Sequence, residues 1–258
     1  MSRKHFLAVL IDLSGTLHVG DKATPSAVLA LQKLQNSSLK LLFVTNTTKE
    51  SGADLKKRLD RIGFDINASE IFSSLSAAHQ LVESCQYRPM LLLQPSAKDQ
   101  FPGITESNPN AVVVGLAPEC FDYTHMNAAF RLIMDGAPLI AVHAGRYYKE
   151  EDGLSLGPGP FVKALEYATG VTAEVVGKPE KNFFLAALEK INCPPENAVM
   201  IGDDVRDDVA GAQAAGLHGV LVRTGKYRAG DEDLISPPPT ATFDNFAMAV
   251  DWILHQAS

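Results

Sequence analysis

The sequence predicts an α/β fold built on a mainly parallel sheet with helices on both faces. Short, almost wholly apolar runs alternate with amphipathic segments along the whole chain, and polar residues follow several of those runs directly. With 258 residues, 46% apolar and 21% charged, the chain suits one large domain or two modest ones with a real core.

The first run, Phe6–Ile11 (FLAVLI), is continuous apolar sequence, as a strand buried on both faces requires. Pro25–Gln35 follows as a helix, with Val28, Leu31 and Leu34 at helical spacing. Leu39–Thr45 (LKLLFVT) is the next buried strand. A helix then starts near Lys49, where Thr47 and Glu50 have capping-box spacing, and Gly63 can end it. Another helix covers Ala77–Glu83. Strands are expected at Met90–Gln94, Ala111–Leu116 and Pro138–His143, with a helix over Tyr123–Met134. Gly153–Pro160 (GLSLGPGP) reads as loop and Phe161–Thr169 as helix. Three further buried strands follow at Ala173–Gly177, Ala198–Gly202 and Gly219–Arg223, separated by helices at Asn182–Ile191 and Asp208–Gly216. Pro237–Pro239 precedes a last helix, Phe246–His255.

In such sheets ligands sit at the carboxyl ends of the strands. Asp12, Thr45 with Asn46, Lys178, and Asp203 with Asp204 each come directly after a buried run, so all four groups can converge on one edge. Clustered carboxylates are costly unless a cation binds them. Hard oxygen ligands suit Mg²⁺, and a lysine adds a point charge for phosphate oxygens. Thr45 and Asn46 add hydrogen-bond donors, and Gly15 lets backbone amides approach a phosphoryl group. Together these describe a phosphoryl-transfer site with an aspartate nucleophile. Singly, each has a plainer explanation. Asp12 alone reads as a turn or cap residue, the acids of Asp203–Asp208 as favourable charges at a helix N-terminus, Thr45–Thr48 as turn residues, and Lys178 as a solvated loop lysine. Their joint placement shifts the balance towards a site.

Other classes fit poorly. With 23 Lys and Arg against 30 Asp and Glu, the formal charge of −7 argues against nucleic-acid or anionic-membrane partners. The three cysteines, Cys85, Cys120 and Cys193, are far apart and form no CxxC, which implies reduced thiols and a cytoplasmic setting. No secretion signal or membrane span is expected from the sequence. Gly157–Gly159 runs into Pro160 and opens no dinucleotide fingerprint. Gly219 to Gly225–Lys226 is one residue too long for a P-loop, with Tyr227 where Ser or Thr is needed.

Asp12-Leu-Ser-Gly-Thr-Leu17, Thr45-Asn46, Gly177-Lys178-Pro179 and Gly202-Asp203-Asp204 through Asp208 resemble, in order and spacing, the four motifs of the haloacid dehalogenase (HAD) superfamily. The resemblance implies a Rossmann-like core, residues 1–79 plus 173–258, with an α/β cap inserted at 80–172 that chooses the substrate. It implies a Mg²⁺-dependent phosphohydrolase in which Asp12 attacks phosphorus and ligates the ion. Ser14 would ligate it through its carbonyl and Asp203 directly. Thr45 and Asn46 would bind the phosphoryl group, and Lys178 would pair with phosphate and Asp12. One of Asp204, Asp207 or Asp208 would orient metal-bound water. Cap residues His143, Arg146, Tyr147, Tyr148 and Lys149 would face an anionic or ring-bearing substrate, or form a solvated loop. Capped relatives often dimerise, so a homodimer is a family-level expectation.

One departure stands out. Most phosphatases of the superfamily carry a second Asp two residues after the nucleophile, where this chain has Ser14. A serine hydroxyl is a poor acid and base near neutral pH, and such help is worth about 10²–10⁴-fold. The expectation is therefore a preference for phosphoramidate (P–N) and pyrophosphate bonds over alkyl esters, on a phosphorylated small molecule or a phosphoprotein side chain. The alternative is a weakly active or inactive phosphate-binding regulatory or scaffold protein. True carbon–halogen dehalogenation, which needs no metal, fits poorly with the acids at Asp203–Asp208.

Overall fold

The computed structural model describes residues 5–48, 50–150 and 152–257. Its larger sheet has β1 (Ala8–Asp12) at the centre. On one side of it lie β4 (Lys40–Thr45) and β5 (Ile71–Ser73), and on the other β12 (Ala198–Gly202), β13 (His218–Val222) and β14 (Ala241–Phe243). All five pairings are parallel. Every residue of β1 is buried because both faces of the sheet are covered. Val9 and Ile11 point to a layer with Phe43, Leu55, Leu59 and Phe246, from helices Ala27–Gln35, Gly52–Ile62 and Phe246–Ala257. Ala8 and Leu10 point to the opposite layer with Phe183, Phe184 and Ala212.

A second, four-stranded parallel sheet is inserted between β5 and β12. It comprises β6 (Pro89–Leu92), β7 (Ala111–Val114), β8 (Leu139–Ala141) and β11 (Glu174–Val175), in the order β11-β8-β7-β6. Helices Tyr123–Met134 and Gly159–Thr169 cover one face and helix Ser74–Ser84 the other. Two short hairpins complete the strands: β2 (His18–Val19) with β3 (Lys22–Ala23), and β9 (Tyr147–Lys149) with β10 (Leu154–Leu156).

Several expectations change. Glu174 and Val175, placed by sequence in the core, pair with β8 of the smaller sheet. Leu75, Ala78 and Val82 also pack against that sheet. Helix 52–62 is capped by Ser51, whose hydroxyl accepts from the Asp54 amide, and not by Thr47. Thr48 instead accepts from the Leu116 amide, tying core to cap, and Lys49 lies outside the described residues. GLSLGPGP holds β10 and the start of helix Gly159–Thr169. The helix expected over Asp208–Gly216 starts earlier, as a π-helical turn over Val205–Ala210, because Asp204 caps it by accepting from the Arg206 and Asp207 amides.

Candidate active site

Four parallel strand ends build the site. Asp12 ends β1, Thr45 ends β4, Asp203 follows β12, and the Lys226 loop follows β13. Lys178 arrives from the chain returning from the smaller sheet. Its ammonium donates to Asp12 Oδ1 at 2.6 Å, to Asp208 Oδ1 at 2.6 Å and to the Val44 carbonyl at 3.2 Å. Those bonds use all three of its protons. Lys178 is 2% exposed, yet the carboxylates outweigh its burial and hold its pKa above the ordinary lysine value. Thr16 donates its hydroxyl to Asp12 Oδ2 at 3.1 Å, so both oxygens of Asp12 are oriented.

The Asn46 side chain holds the Lys178 backbone from both sides. Its Oδ1 accepts from the Lys178 backbone amide at 3.0 Å and its Nδ2 donates to the Lys178 carbonyl at 2.9 Å. It clamps the lysine-bearing loop. Thr45 Oγ1 accepts from the Thr47 amide at 3.1 Å. Ser14 is exposed and lines the cleft.

Asp12, Asp203 and Asp208 each bring a carboxylate oxygen within 4.8 Å of the others, all buried. Such a hard-oxygen group fits a magnesium ion. Burial, then the neighbouring Asp12, pushes Asp203 well above the usual carboxylate range. Asp208 is pushed up to about 6 and Asp207 to about 7, again chiefly by burial. Asp204 goes the other way. Its burial is outweighed by Lys226, and by amide bonds from Asp207 and Arg206, so its carboxyl stays below the ordinary range. Of the three acids left open by sequence, Asp208 stands with Asp12 and Asp203, Asp207 lines the cleft, and Asp204 caps the following turn.

The cleft beside these strand ends has a volume of about 790 Å³. His143, Tyr147 and Tyr148 line its cap wall. His143 Nδ1 accepts from the Gly145 amide at 3.2 Å, and burial, then Lys226 and Lys178, pulls the ring down to about 3, so it is neutral. Arg146 is exposed and outside the lining, and the Lys149 side chain lies outside the described residues. Among the described side chains of that cluster, a neutral histidine and two tyrosines line the cleft.

Sequence reasoning missed Lys226, Thr224 and His18. The signal for the first two was present: they follow the buried run Gly219–Arg223 as directly as Asp12 follows its own. Gly225–Lys226 was weighed only as a P-loop.

Residues 9–101 match the haloacid dehalogenase-like hydrolase family model, and residues 175–249 match a HAD-hydrolase-like model. The chain is 62% identical over 247 residues to human haloacid dehalogenase-like hydrolase domain-containing protein 2, covering 96% of this chain and 95% of that one. The chain belongs to the HAD family. Human phospholysine phosphohistidine inorganic pyrophosphate phosphatase is a further HAD relative, 44% identical over 255 residues, covering 96% and 94%. Among solved structures, the HAD 4-nitrophenylphosphatase of Thermotoga maritima superposes with a TM-score of 0.87 at 25% identity, covering 95% and 97%. A magnesium complex of Mycobacterium tuberculosis glycerol phosphate phosphatase gives 0.82 at 28% identity, covering 93% and 76%. With this family membership and these neighbours, the chain is a HAD-type phosphatase.

Proposed function

We propose that this HAD phosphatase is Mg²⁺-dependent, works through an aspartyl-phosphate on Asp12, and favours P–N and P–O–P bonds over alkyl phosphate esters. The observation that carries the reading is the Lys178 ammonium, 2.6 Å from both Asp12 and Asp208, beside the Asp12–Asp203–Asp208 oxygen group. Asp12, Asp203 and Asp208, with the Ser14 carbonyl, would hold the ion, which when bound neutralises phosphoryl charge. One oxygen of Asp12 attacks phosphorus while the leaving group departs with the bonding electron pair. Thr16 on Oδ2 and Lys178 on Oδ1 together fix the orientation of the Asp12 carboxylate. Thr45 and the Ser14 amide bind phosphoryl oxygens, and Asn46 keeps Lys178 in register. Water then cleaves the acyl phosphate and frees Asp12.

Ser14 supplies no efficient acid at the leaving group. A phosphoramidate nitrogen can take its proton from solvent, and a pyrophosphate leaves as stable phosphate, so those bonds need little help. The pyrophosphate and phosphohistidine activities in the name of the 44% relative support the reading. The three free thiols support a reducing, cytoplasmic setting, and no helix among the described residues is long and apolar enough to cross a membrane.

The test is kcat/KM for imidodiphosphate, pyrophosphate and a sugar phosphate with Mg²⁺. The first two should lead, and a sugar phosphate turned over fastest refutes the preference. Ser14→Asp should raise alkyl phosphate turnover. Asp12→Asn should abolish turnover; equal residual rates in that variant favour a phosphate-binding regulatory protein, the second reading that Ser14 leaves open.

A further inference from the structure

The stretch after β13 takes no part in the four motifs, yet it touches both halves of the site. Thr224 Oγ1 donates to the Gly15 carbonyl at 2.5 Å, on the nucleophile turn. Gly225 is left-handed at φ +54°, and a Cβ there would lie 2.1 Å from Asp203 Oδ2 and 2.4 Å from the Gly15 Cα. Only glycine lets the chain pass so close. The next amide, of Lys226, donates to Asp203 Oδ2 at 2.6 Å, and the Lys226 ammonium donates to Asp204 Oδ2 at 3.1 Å. The Lys226 side chain is largely buried.

Lys178 has no proton left for this side of the site, since Asp12, Asp208 and Val44 take all three. Asp203 and Asp204 are adjacent acids at the end of a buried strand, and Asp204 stands outside the group that can share a cation. The Arg206 and Asp207 amides hold Asp204 Oδ1, but Oδ2 without a partner would compete for the ion or repel Asp203. Lys226 gives it that partner.

We propose that Lys226 is a positioning residue for the metal side of the site: its amide fixes one oxygen of Asp203, and its ammonium holds Asp204 apart from the cation. Thr224 and Gly225 set the height of Lys226 relative to the nucleophile turn. The role differs from that of Lys178, which contacts the nucleophile itself. It rests on the reading above that Asp12, Asp203 and Asp208 bind Mg²⁺.

Titration calorimetry of Mg²⁺ into the ion-stripped full-length protein tests this, alongside kcat and KM for 4-nitrophenyl phosphate. Lys226→Met removes a cation beside the site, so Mg²⁺ should bind about tenfold tighter. With Asp204 released, kcat should fall about tenfold while KM stays within about twofold. Lys226→Arg keeps the charge and should hold both affinity and kcat within about threefold of wild type. Asp204→Asn retains a capping side chain but leaves Lys226 uncompensated, so Mg²⁺ should bind about tenfold weaker. These opposite signs are what a packing role cannot produce. If Lys226→Met loses Mg²⁺ affinity, turnover and Tm together without rescue by Arg, the residue only packs. A rise in KM alone means it contacts the substrate, and unchanged values mean it has no role; each of these overturns the proposal. Should Lys226→Met fail to fold, Asp204→Asn and Lys226→Arg still decide it. Wild-type protein that binds no Mg²⁺ refutes the site reading instead.

Discussion

Two buried bases show how single side chains set the behaviour of the site. Lys178 bridges Asp12 and Asp208, at 2.6 Å from each. Lys178→Met leaves both carboxylates buried and unpaired, and such a loss costs about 3–5 kcal/mol. Urea denaturation should show that loss at neutral pH, and turnover should fall with it. His18 gives a pH dependence. It is 1% exposed, Nδ1 donates to the Gly20 carbonyl at 2.9 Å with the Arg58 guanidinium 3.2 Å away, and Nε2 has no partner among the described residues. Burial, then Arg58, pulls its pKa down to about 4. Unfolded, the imidazole titrates near 6.5, so between those values the unfolded chain binds more protons. The stability from neutral His18 is complete above about 6.5 and is lost as pH falls towards 4, about 3 kcal/mol in all. Urea midpoints measured from pH 7 to 4.5 should drop less steeply in His18→Phe. An equally steep acid limb in that variant shows that His18 is not responsible.

Secondary elements differ in how clearly they were written in the sequence, and burial explains why. Strands such as β1 and β12 are buried at every residue, so they appear as unbroken apolar runs with a polar residue where the cover ends. That is why Asp12 and Asp203 were legible as site residues. β10 has the opposite pattern, with Leu154 and Leu156 exposed and Ser155 half-buried, so GLSLGPGP offered no apolar face to read. The clamp that Asn46 makes was not legible, because only a three-dimensional contact shows its amide spanning 132 residues to Lys178. The turn after β1 carries its own prediction. Gly15 is left-handed at φ +96°, and a Cβ there would meet Asp203 Oδ2 at 2.1 Å. Gly15→Ala should therefore cost about 1–3 kcal/mol in strain and weaken Mg²⁺ binding, as read by Tm and calorimetry. Ser51→Ala, at the cap of helix 52–62, should cost about 1 kcal/mol in thermal unfolding and leave ion binding unchanged.

At the scale of the whole molecule, the cleft needs both units. Arg228 of the core stacks over the Tyr147 ring of the cap at 4.9 Å, and Thr48 bonds the Leu116 amide at 2.8 Å. A cation that binds only the folded site should stabilise it by about 2.7 kcal/mol at one hundred times its Kd, and so raise Tm with concentration. A Tm indifferent to Mg²⁺ refutes binding at that site. The inserted smaller sheet has a further consequence, for birth of the chain. β1 is made first, but its partner β12 is made some 190 residues later, after the whole insertion. On the ribosome the insertion, whose sheet contacts are more local, can fold while β1 waits half-paired with β4. Asp12 therefore meets Lys178, and then the acids after β12, only late in synthesis. A nascent or prematurely terminated chain carries the nucleophile without the partners that arm it, and so exposes the cell to no unfinished hydrolase.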